Sequence, residues 1–306
     1  MAMQNGPMPT SIDGLTPYRS ATSDNARWRD FEPRKDDIFV CTPAKCGTTW
    51  MQAIVASLLW PDGNLPGPIL EISPWIEFEV FPIDEILARL EAQPHRRFIK
   101  THTALDGIPL RADAKYVCVA RDGRDAFMSI CNHLERFKDE VREGLNARAA
   151  ADGIPPLPPW SGDVHGFFPV WLDLLGLLEQ VGTFWQHRHD TNVMLVHFND
   201  LKADLGGEMR RVAGFLDIAV PEADWPQAIE RCTFEAMQNQ DSRLGPLDKM
   251  FEGGTKSFIF KGTNGRWRDV LTQEELATYA ARVAQVLPPA AALWLERGRS
   301  AADPRS

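Results

Sequence analysis

Residues 38–50 read Ile-Phe-Val-Cys-Thr-Pro-Ala-Lys-Cys-Gly-Thr-Thr-Trp, an apolar run followed by a polar turn. Apolar residues at helical spacing come next, so the order is strand, turn and helix start. The first backbone N–H groups of a helix are unpaired, and the helix dipole favours an anion beside them. The segment therefore predicts a phosphate-binding loop in which Lys45, Thr48 and Thr49 supply a cation and two hydroxyls.

The order of residues in this loop separates it from one large class of phosphate loops. A nucleoside triphosphatase loop reads G-x-x-x-x-G-K-[ST], with its lysine after the last glycine. Here Lys45 precedes Gly47. A nucleotide kinase or P-loop hydrolase is therefore kept only as an alternative, beside a non-catalytic nucleotide-binding relative.

Composition narrows the class of protein. The chain has 306 residues, of which 44% are hydrophobic, and a formal net charge of -9, which argues against nucleic acid as a partner. Five cysteines without C-x-x-C spacing argue against a disulfide framework or a metal site. The apolar stretch 166–185 contains Asp173 and Glu179, so we expect one buried helix there and no membrane span. No signal-peptide pattern opens the chain, and a cytoplasmic protein is expected.

Four apolar runs, at 37–42, 97–101, 115–120 and 193–198, alternate with helical patterns. This alternation predicts a single α/β domain with a central parallel sheet flanked by helices, and ligands outside the carboxyl ends of the strands. The expected divisions are an irregular N-terminal arm (1–36), the domain (37–298) and a C-terminal tail (299–306). The long stretches 60–82, 143–166 and 240–260 are expected to be lids or substrate loops.

Polar residues also stand at the ends of the second and third runs. Lys100 and His102 end the second run, and residues two apart on an extended segment face the same side. A histidine there can accept a proton near neutral pH. Arg121 follows the third run, with Ser129 about two helical turns later. The later segment Phe260-Lys-Gly-Thr-Asn-Gly-Arg-Trp267 combines cations with glycines that permit close backbone approach.

Taken in order from about residue 37 to 272, these segments resemble the cytosolic sulfotransferase family, whose donor is 3′-phosphoadenosine 5′-phosphosulfate (PAPS). The resemblance implies a P-loop-like sulfotransferase fold, PAP as the product and no metal. It implies His102 as general base with Lys45 and Lys100 beside the transferring group. The cofactor-binding residues it implies are Lys45, Cys46, Gly47, Thr48, Thr49, Trp50, Arg121, Ser129, Phe198, Phe234, Lys261 and Gly262.

Several positions depart from the family pattern. Cys46 replaces a serine, Phe198 a tyrosine, Cys232 a threonine and Phe260 an arginine that would bind the 3′-phosphate. Arg266 or Arg268 could compensate for that arginine. The family's dimer motif survives only in part at 268–272, so the sequence leaves the oligomeric state open. The resemblance implies a small hydroxylated acceptor, and loop aromatics such as Trp75 and Phe78 favour a partly apolar one: a phenol, a steroid-like alcohol, a glycolipid or another compound.

Overall fold

A computed structural model describes residues 14–174, 176–239 and 241–306. Its sheet contains strands β1 (Ile38–Cys41), β2 (Phe98–Thr101), β3 (Lys115–Ala120) and β4 (Val193–His197). The strand order is β2-β1-β3-β4, and every pairing is parallel. The four apolar runs are thus confirmed as strands of one parallel sheet.

Helices connect and cover the strands. In chain order they are α1 (Thr48–Leu59), α2 (Ile69–Ile72), α3 (Ile83–Glu91), α4 (Gly123–Arg136), α5 (Asp139–Ala151), α6 (Val164–Leu174), α7 (Leu177–Gln186), α8 (Phe198–Ala203), α9 (Leu205–Phe215), α10 (Trp225–Glu230), α11 (Phe234–Gln238), α12 (Asp241–Leu244), α13 (Gly254–Phe258), α14 (Gln273–Val286) and α15 (Pro289–Arg297).

The sheet is buried on both faces, as a parallel sheet requires. Alternate residues of β3 point to opposite sides. Tyr116 belongs to a core that includes Phe184 of α7 and Trp294 of α15. Val117 belongs to a second core that includes Met51 of α1 and Met209 of α9. The expected α/β architecture, a central parallel sheet flanked by helices, is therefore confirmed.

The expectation of one buried helix over 166–185 is wrong. Two helices, α6 and α7, occupy this stretch. Gly176 has a φ of 55° and stands at the N-terminus of α7. A left-handed residue cannot continue a right-handed helix, so the chain turns at this point.

The described part of the N-terminal arm packs on the domain. Residues Asn25–Asp30 form a 3-10 helix, and Trp28 within it is fully buried. At the other end, Arg299 pairs with Glu208 at 2.9 Å, and Arg305 donates to the Val193 carbonyl at 2.8 Å. Both terminal segments therefore contact the domain, while the predicted domain boundaries stay predictions.

Candidate functional site

The loop after β1 makes a narrow turn into α1. Lys45 and Gly47 both have left-handed φ angles, of 66° and 112°. A Cβ at Gly47 would lie 3.2 Å from Cδ2 of Phe198, so the ring packs where only a glycine fits. The hydroxyls of Thr42 and Thr48 hydrogen bond across the turn. The backbone thus presents the start of α1 to the carboxyl edge of the sheet.

A cavity of about 660 Å³ opens at this edge. It brings together nearly all of the side chains predicted from the sequence. Those lining it are Lys45, Gly47, Thr48, Thr49, Trp50, Lys100, His102, Arg121, Ser129, Phe198, Phe234, Lys261 and Gly262.

Cys46 does not line the cavity. Its side chain is fully buried and belongs to the core that contains Cys118 and Ala126. Its backbone N–H donates to the Pro43 carbonyl at 3.2 Å and so closes the turn. The thiol of Cys46 therefore lies on the core side of the turn, and the expected role of this residue in cofactor binding stays a prediction.

His102 follows β2 and is fixed by the neighbouring strand. Its Nδ1 lies 2.6 Å from the carbonyl oxygen of Thr42. Because a carbonyl only accepts, Nδ1 carries the proton and Nε2 keeps the lone pair. The edge of the Trp75 ring packs on the imidazole, with centroids 4.7 Å apart. Burial lowers the pKa of His102 well below its usual range, and the positive charge of Lys100 adds to this. The imidazole is therefore neutral at pH 7, and the Thr42 carbonyl fixes its tautomer.

Two lysine side chains lie near His102. Lys100 Nζ stands 4.6 Å from the centre of the Trp75 ring, and Lys45 Nζ lies 4.5 Å from that of Phe258. Burial lowers the pKa of Lys45 to about 7, with help from the charges of Lys100 and Arg121. Burial also lowers the pKa of Lys100 to about 8. The lowered pKa values show that the surroundings disfavour the charged form of both lysines. A bound anion would favour that form, so the site favours an anionic ligand.

Arg121 and a group of rings form a second region of the cavity. The guanidinium carbon of Arg121 lies 4.3 Å from the centre of the Phe198 ring. The same group donates to Oδ1 of Asn264 at 2.7 Å, which ties β3 to the 260–265 loop. Trp50 meets Phe198 edge to face at 5.1 Å, and its Nε1 donates to the Cys232 carbonyl. A cation and flat apolar surfaces thus stand side by side.

Gly262 and Phe234 close this region from the C-terminal half of the chain. Gly262 has a φ of 59°, and a Cβ there would lie 2.6 Å from the Phe234 ring. Phe234 is 39% exposed, which leaves part of the ring free to stack on a planar ligand.

The three stretches expected to be lids or substrate loops all contribute to the cavity wall. Phe78 and Phe81 come from the first, Leu157 from the second, and Phe251 from the third. Together with other rings they give much of the cavity an apolar lining.

His133 is a cavity residue that the sequence reasoning missed. Its Nδ1 lies 3.2 Å from Nζ of Lys45, and its ring packs against Phe137, Phe251 and Phe258. It follows Ser129 by four residues on α4. Residues at this spacing share a helix face, so the position of Ser129 could have revealed it.

Within the described ranges, no group of three or more histidine, cysteine, aspartate or glutamate side chains is arranged to hold a metal ion. The helices of those ranges also lack the combined length and apolar character that a membrane crossing needs.

Comparison with known proteins agrees with this geometry. Residues 35–287 match the family described as "Sulfotransferase domain". The chain is 34% identical to a glycolipid sulfotransferase of Mycobacterium bovis (strain BCG / Pasteur 1173P2), over 94% of this chain and 96% of that relative.

Two solved structures share the fold at lower identity. The mouse sulfotransferase SULT7A1 complexed with PAP has a TM-score of 0.63 and 19% identity, over 85% of this chain and 87% of that one. Retinol dehydratase in a complex with retinol and PAP has a TM-score of 0.64 and 21% identity, over 87% and 85%. The family match covers most of the chain, and the parallel sheet and cavity agree with it: the protein belongs to the sulfotransferase family and is an enzyme of that class.

Proposed function

We propose that this enzyme moves the sulfuryl group of PAPS to a hydroxyl of a small, partly apolar acceptor, with His102 as general base. One observation carries the proposal. The oriented His102, the ammonium groups of Lys45 and Lys100, and the Arg121 region all line one cavity at the carboxyl edge of the sheet.

The chemistry of the cavity fits this donor. PAPS carries a 5′-phosphosulfate, a planar adenine and a 3′-phosphate. The turn before α1 offers backbone N–H groups and Lys45 to the first of these. Trp50, Phe198 and Phe234 offer ring faces and edges to the second. Arg121 offers a guanidinium, which can bind a phosphate with two parallel hydrogen bonds.

The transfer step uses the histidine tautomer described above. The acceptor oxygen forms a bond to sulfur while the bond from sulfur to the 5′-phosphate oxygen breaks. The acceptor proton moves to Nε2 of His102, whose Nδ1–H stays bonded to the Thr42 carbonyl. The electron pair of the broken bond stays on the departing phosphate of PAP.

Lys45 and Lys100 stabilise the charge that this step moves. Negative charge spreads over the sulfuryl oxygens and grows on the leaving phosphate oxygen, so positioned cations lower the barrier. Their pKa values of about 7 and about 8 rise when an anion binds, because the anion favours the charged form.

The apolar part of the cavity supports an acceptor with an extended apolar portion. Rings and aliphatic chains form much of the cavity wall, including Phe81, Phe137, Phe167 and Trp171. A relative at 34% identity bears the name glycolipid sulfotransferase. A hydroxylated lipid is therefore the first acceptor to test, before phenols and steroid-like alcohols.

His102→Ala should lower kcat by about 10²- to 10⁴-fold, the usual contribution of a positioned base. The affinity for PAP, measured by calorimetry, should change little, because the base acts on the acceptor. His165→Ala is the matched control, since His165 is exposed and pairs with Glu275 at 2.9 Å. Unchanged turnover of His102→Ala with every accepted acceptor would contradict the assignment of the base.

The donor is tested by incubating the wild-type enzyme and an acceptor panel either with PAPS, following PAP release, or with ATP and Mg²⁺, following ADP release. Turnover is expected with PAPS alone. Turnover with ATP and Mg²⁺, and none with PAPS, would overturn the proposal in favour of a nucleotide kinase or hydrolase.

A further inference from the structure

The geometry points to Arg266 as a binding residue for the second anionic group of the donor, the 3′-phosphate. This inference rests on the proposed PAPS chemistry and assigns a residue to it. Arg266 opens the 3-10 helix Arg266–Asp269 and lines the same cavity as Arg121, Ser129 and Lys261.

The backbone at Arg266 is held against helix α4. The preceding Gly265 has a φ of 81°, and its N–H donates to Oδ1 of Asp125 at 2.6 Å. Ser129 lies one turn further along the same helix, so its hydroxyl and the start of the 3-10 helix face a common space. The anchoring carboxylate fixes the position of Arg266 through its neighbour's backbone.

The guanidinium of Arg266 has an unmet donor. Its Nε is buried and finds no hydrogen-bond partner among the residues that the structure describes. The guanidinium carbon of Arg266 lies 5.8 Å from the centre of the Phe260 ring, and Nζ of Lys261 lies 5.0 Å from the same centre. A ring face orients a cation but accepts no strong hydrogen bond. The donor therefore remains available to an oxygen in the cavity.

A second guanidinium, that of Arg121, lies near this donor. Burial lowers the pKa of Arg121, the charge of Asp125 opposes that shift, and the charge of Arg266 adds to it. Both arginines line one cavity, and an anion bound near both offsets the repulsion between their charges. A phosphate accepts hydrogen bonds from both groups and from the Ser129 hydroxyl, whereas a neutral ligand leaves them unpaired.

The neighbouring Arg268 lacks these properties. It is exposed, does not line the cavity, and lies 4.7 Å from the centre of the Trp267 ring. Of the two arginines that the sequence offered as compensation for Phe260, the geometry selects Arg266. Arg268 then serves as a matched control two residues away.

The test compares adenosine 3′,5′-bisphosphate (PAP) with adenosine 5′-phosphate (AMP), which lacks only the 3′-phosphate. Calorimetric Kd values for both ligands are measured on the wild-type enzyme, Arg266→Gln and Arg268→Gln. Arg266→Gln should weaken PAP binding by about 10- to 100-fold, the range for one lost hydrogen-bonded charge contact. AMP binding should change by less than about threefold, and Arg268→Gln should leave both ligands near wild type.

Arg266→Lys gives a second measure, because lysine keeps the charge and loses the paired donors. Arg266→Lys should recover part of the PAP affinity that Arg266→Gln loses, and its affinity for AMP should stay near that of the wild type. An unchanged ratio of the two Kd values in Arg266→Gln would overturn the inference. This holds if neither ligand binds more weakly, and also if both weaken equally, which would mean a disturbed pocket. Failure of the wild-type enzyme to prefer PAP over AMP would overturn the proposed donor itself.

Discussion

At the scale of single residues, Lys45 draws its properties from its neighbours. Lys100 and Arg121 repel its charge, and burial removes its water. The contacts that favour the ammonium are the Nδ1 of His133 at 3.2 Å and the face of Phe258. His133 stays neutral because burial lowers its pKa well below the usual range, so its ring accepts from the lysine. One hydrogen bond thus stabilises a cation in a crowded positive site.

His133→Phe should remove that acceptor and lower the pKa of Lys45 by about one unit, the equivalent of a lost bond to a charged group. PAP affinity, which needs the ammonium, should then begin to fall at lower pH than in the wild type. His133→Gln keeps an acceptor and should retain most of the wild-type profile. The measurement is Kd for PAP against pH for all three proteins. Coincident profiles for the Phe and Gln variants would show that Lys45 gains nothing from this contact.

At the scale of elements, the arm, β2 and the segment that carries His102 form one connected unit. Nε1 of Trp28 donates to Oε1 of Glu77 at 2.9 Å. The same carboxylate accepts from the hydroxyls of Thr101 and Thr103, on either side of His102. Burial raises the pKa of Glu77, while these hydrogen bonds oppose the shift. The buried arm therefore supports the strand end beside His102, the proposed base.

Trp28→Ala should destabilise the protein by about 3–5 kcal/mol, the usual cost of emptying a large buried site. Trp28→Phe keeps a ring but loses the donor to Glu77, and should cost about 1–3 kcal/mol. Urea denaturation of both variants measures these differences. If removing Trp28 cost less than about 1 kcal/mol, the arm would be a loose appendage and this account of it would be wrong.

The elements also show where sequence reasoning succeeds. The four apolar runs placed all four strands, because a parallel strand buried on both faces is rich in apolar residues. The break at Gly176 escaped detection, because a glycine inside an apolar run is compatible with both a continuous and an interrupted helix. Lys100 and His102 were found together because alternation along a strand is strict. The sequence does not reveal the left-handed turn at Lys45, so it did not show on which side of the loop the Cys46 side chain lies.

At the scale of the whole molecule, rising pH is expected to have opposite effects on the free energy of unfolding and on the affinity for an anion. In the unfolded chain both cavity lysines stay protonated up to a pH of about 10. In the folded protein the pKa values are about 7 and about 8, so the folded state releases these protons first. The unfolded state then binds more protons, and the free energy of unfolding gains from rising pH. At the lower pH values, where both lysines are charged and can bind an anion, they therefore stabilise the ligand-free fold least.

Between pH values of about 6.5 and 8.5, this contribution should appear as a difference between the wild type and a Lys45→Met/Lys100→Met variant. The wild type should gain unfolding free energy with pH relative to the variant. The subtraction cancels the buried cysteines, whose raised pKa values act in the other direction. Over the same range, PAP affinity of the wild type should fall. Urea denaturation and calorimetry at matched ionic strength measure the two trends, and a parallel decline of both would contradict the account.

The bond between His102 and the Thr42 carbonyl has a consequence for engineering. The carbonyl that selects the tautomer of His102 belongs to the main chain of Thr42, the residue after β1, and no side-chain replacement can delete it. We therefore expect that acceptor preference can be redesigned by exchanging wall residues such as Phe81 or Leu157 without a compensating change to orient His102. A library built on this chain should keep the 38–50 segment intact and vary the aromatic wall, where new specificity can arise independently of the proton transfer.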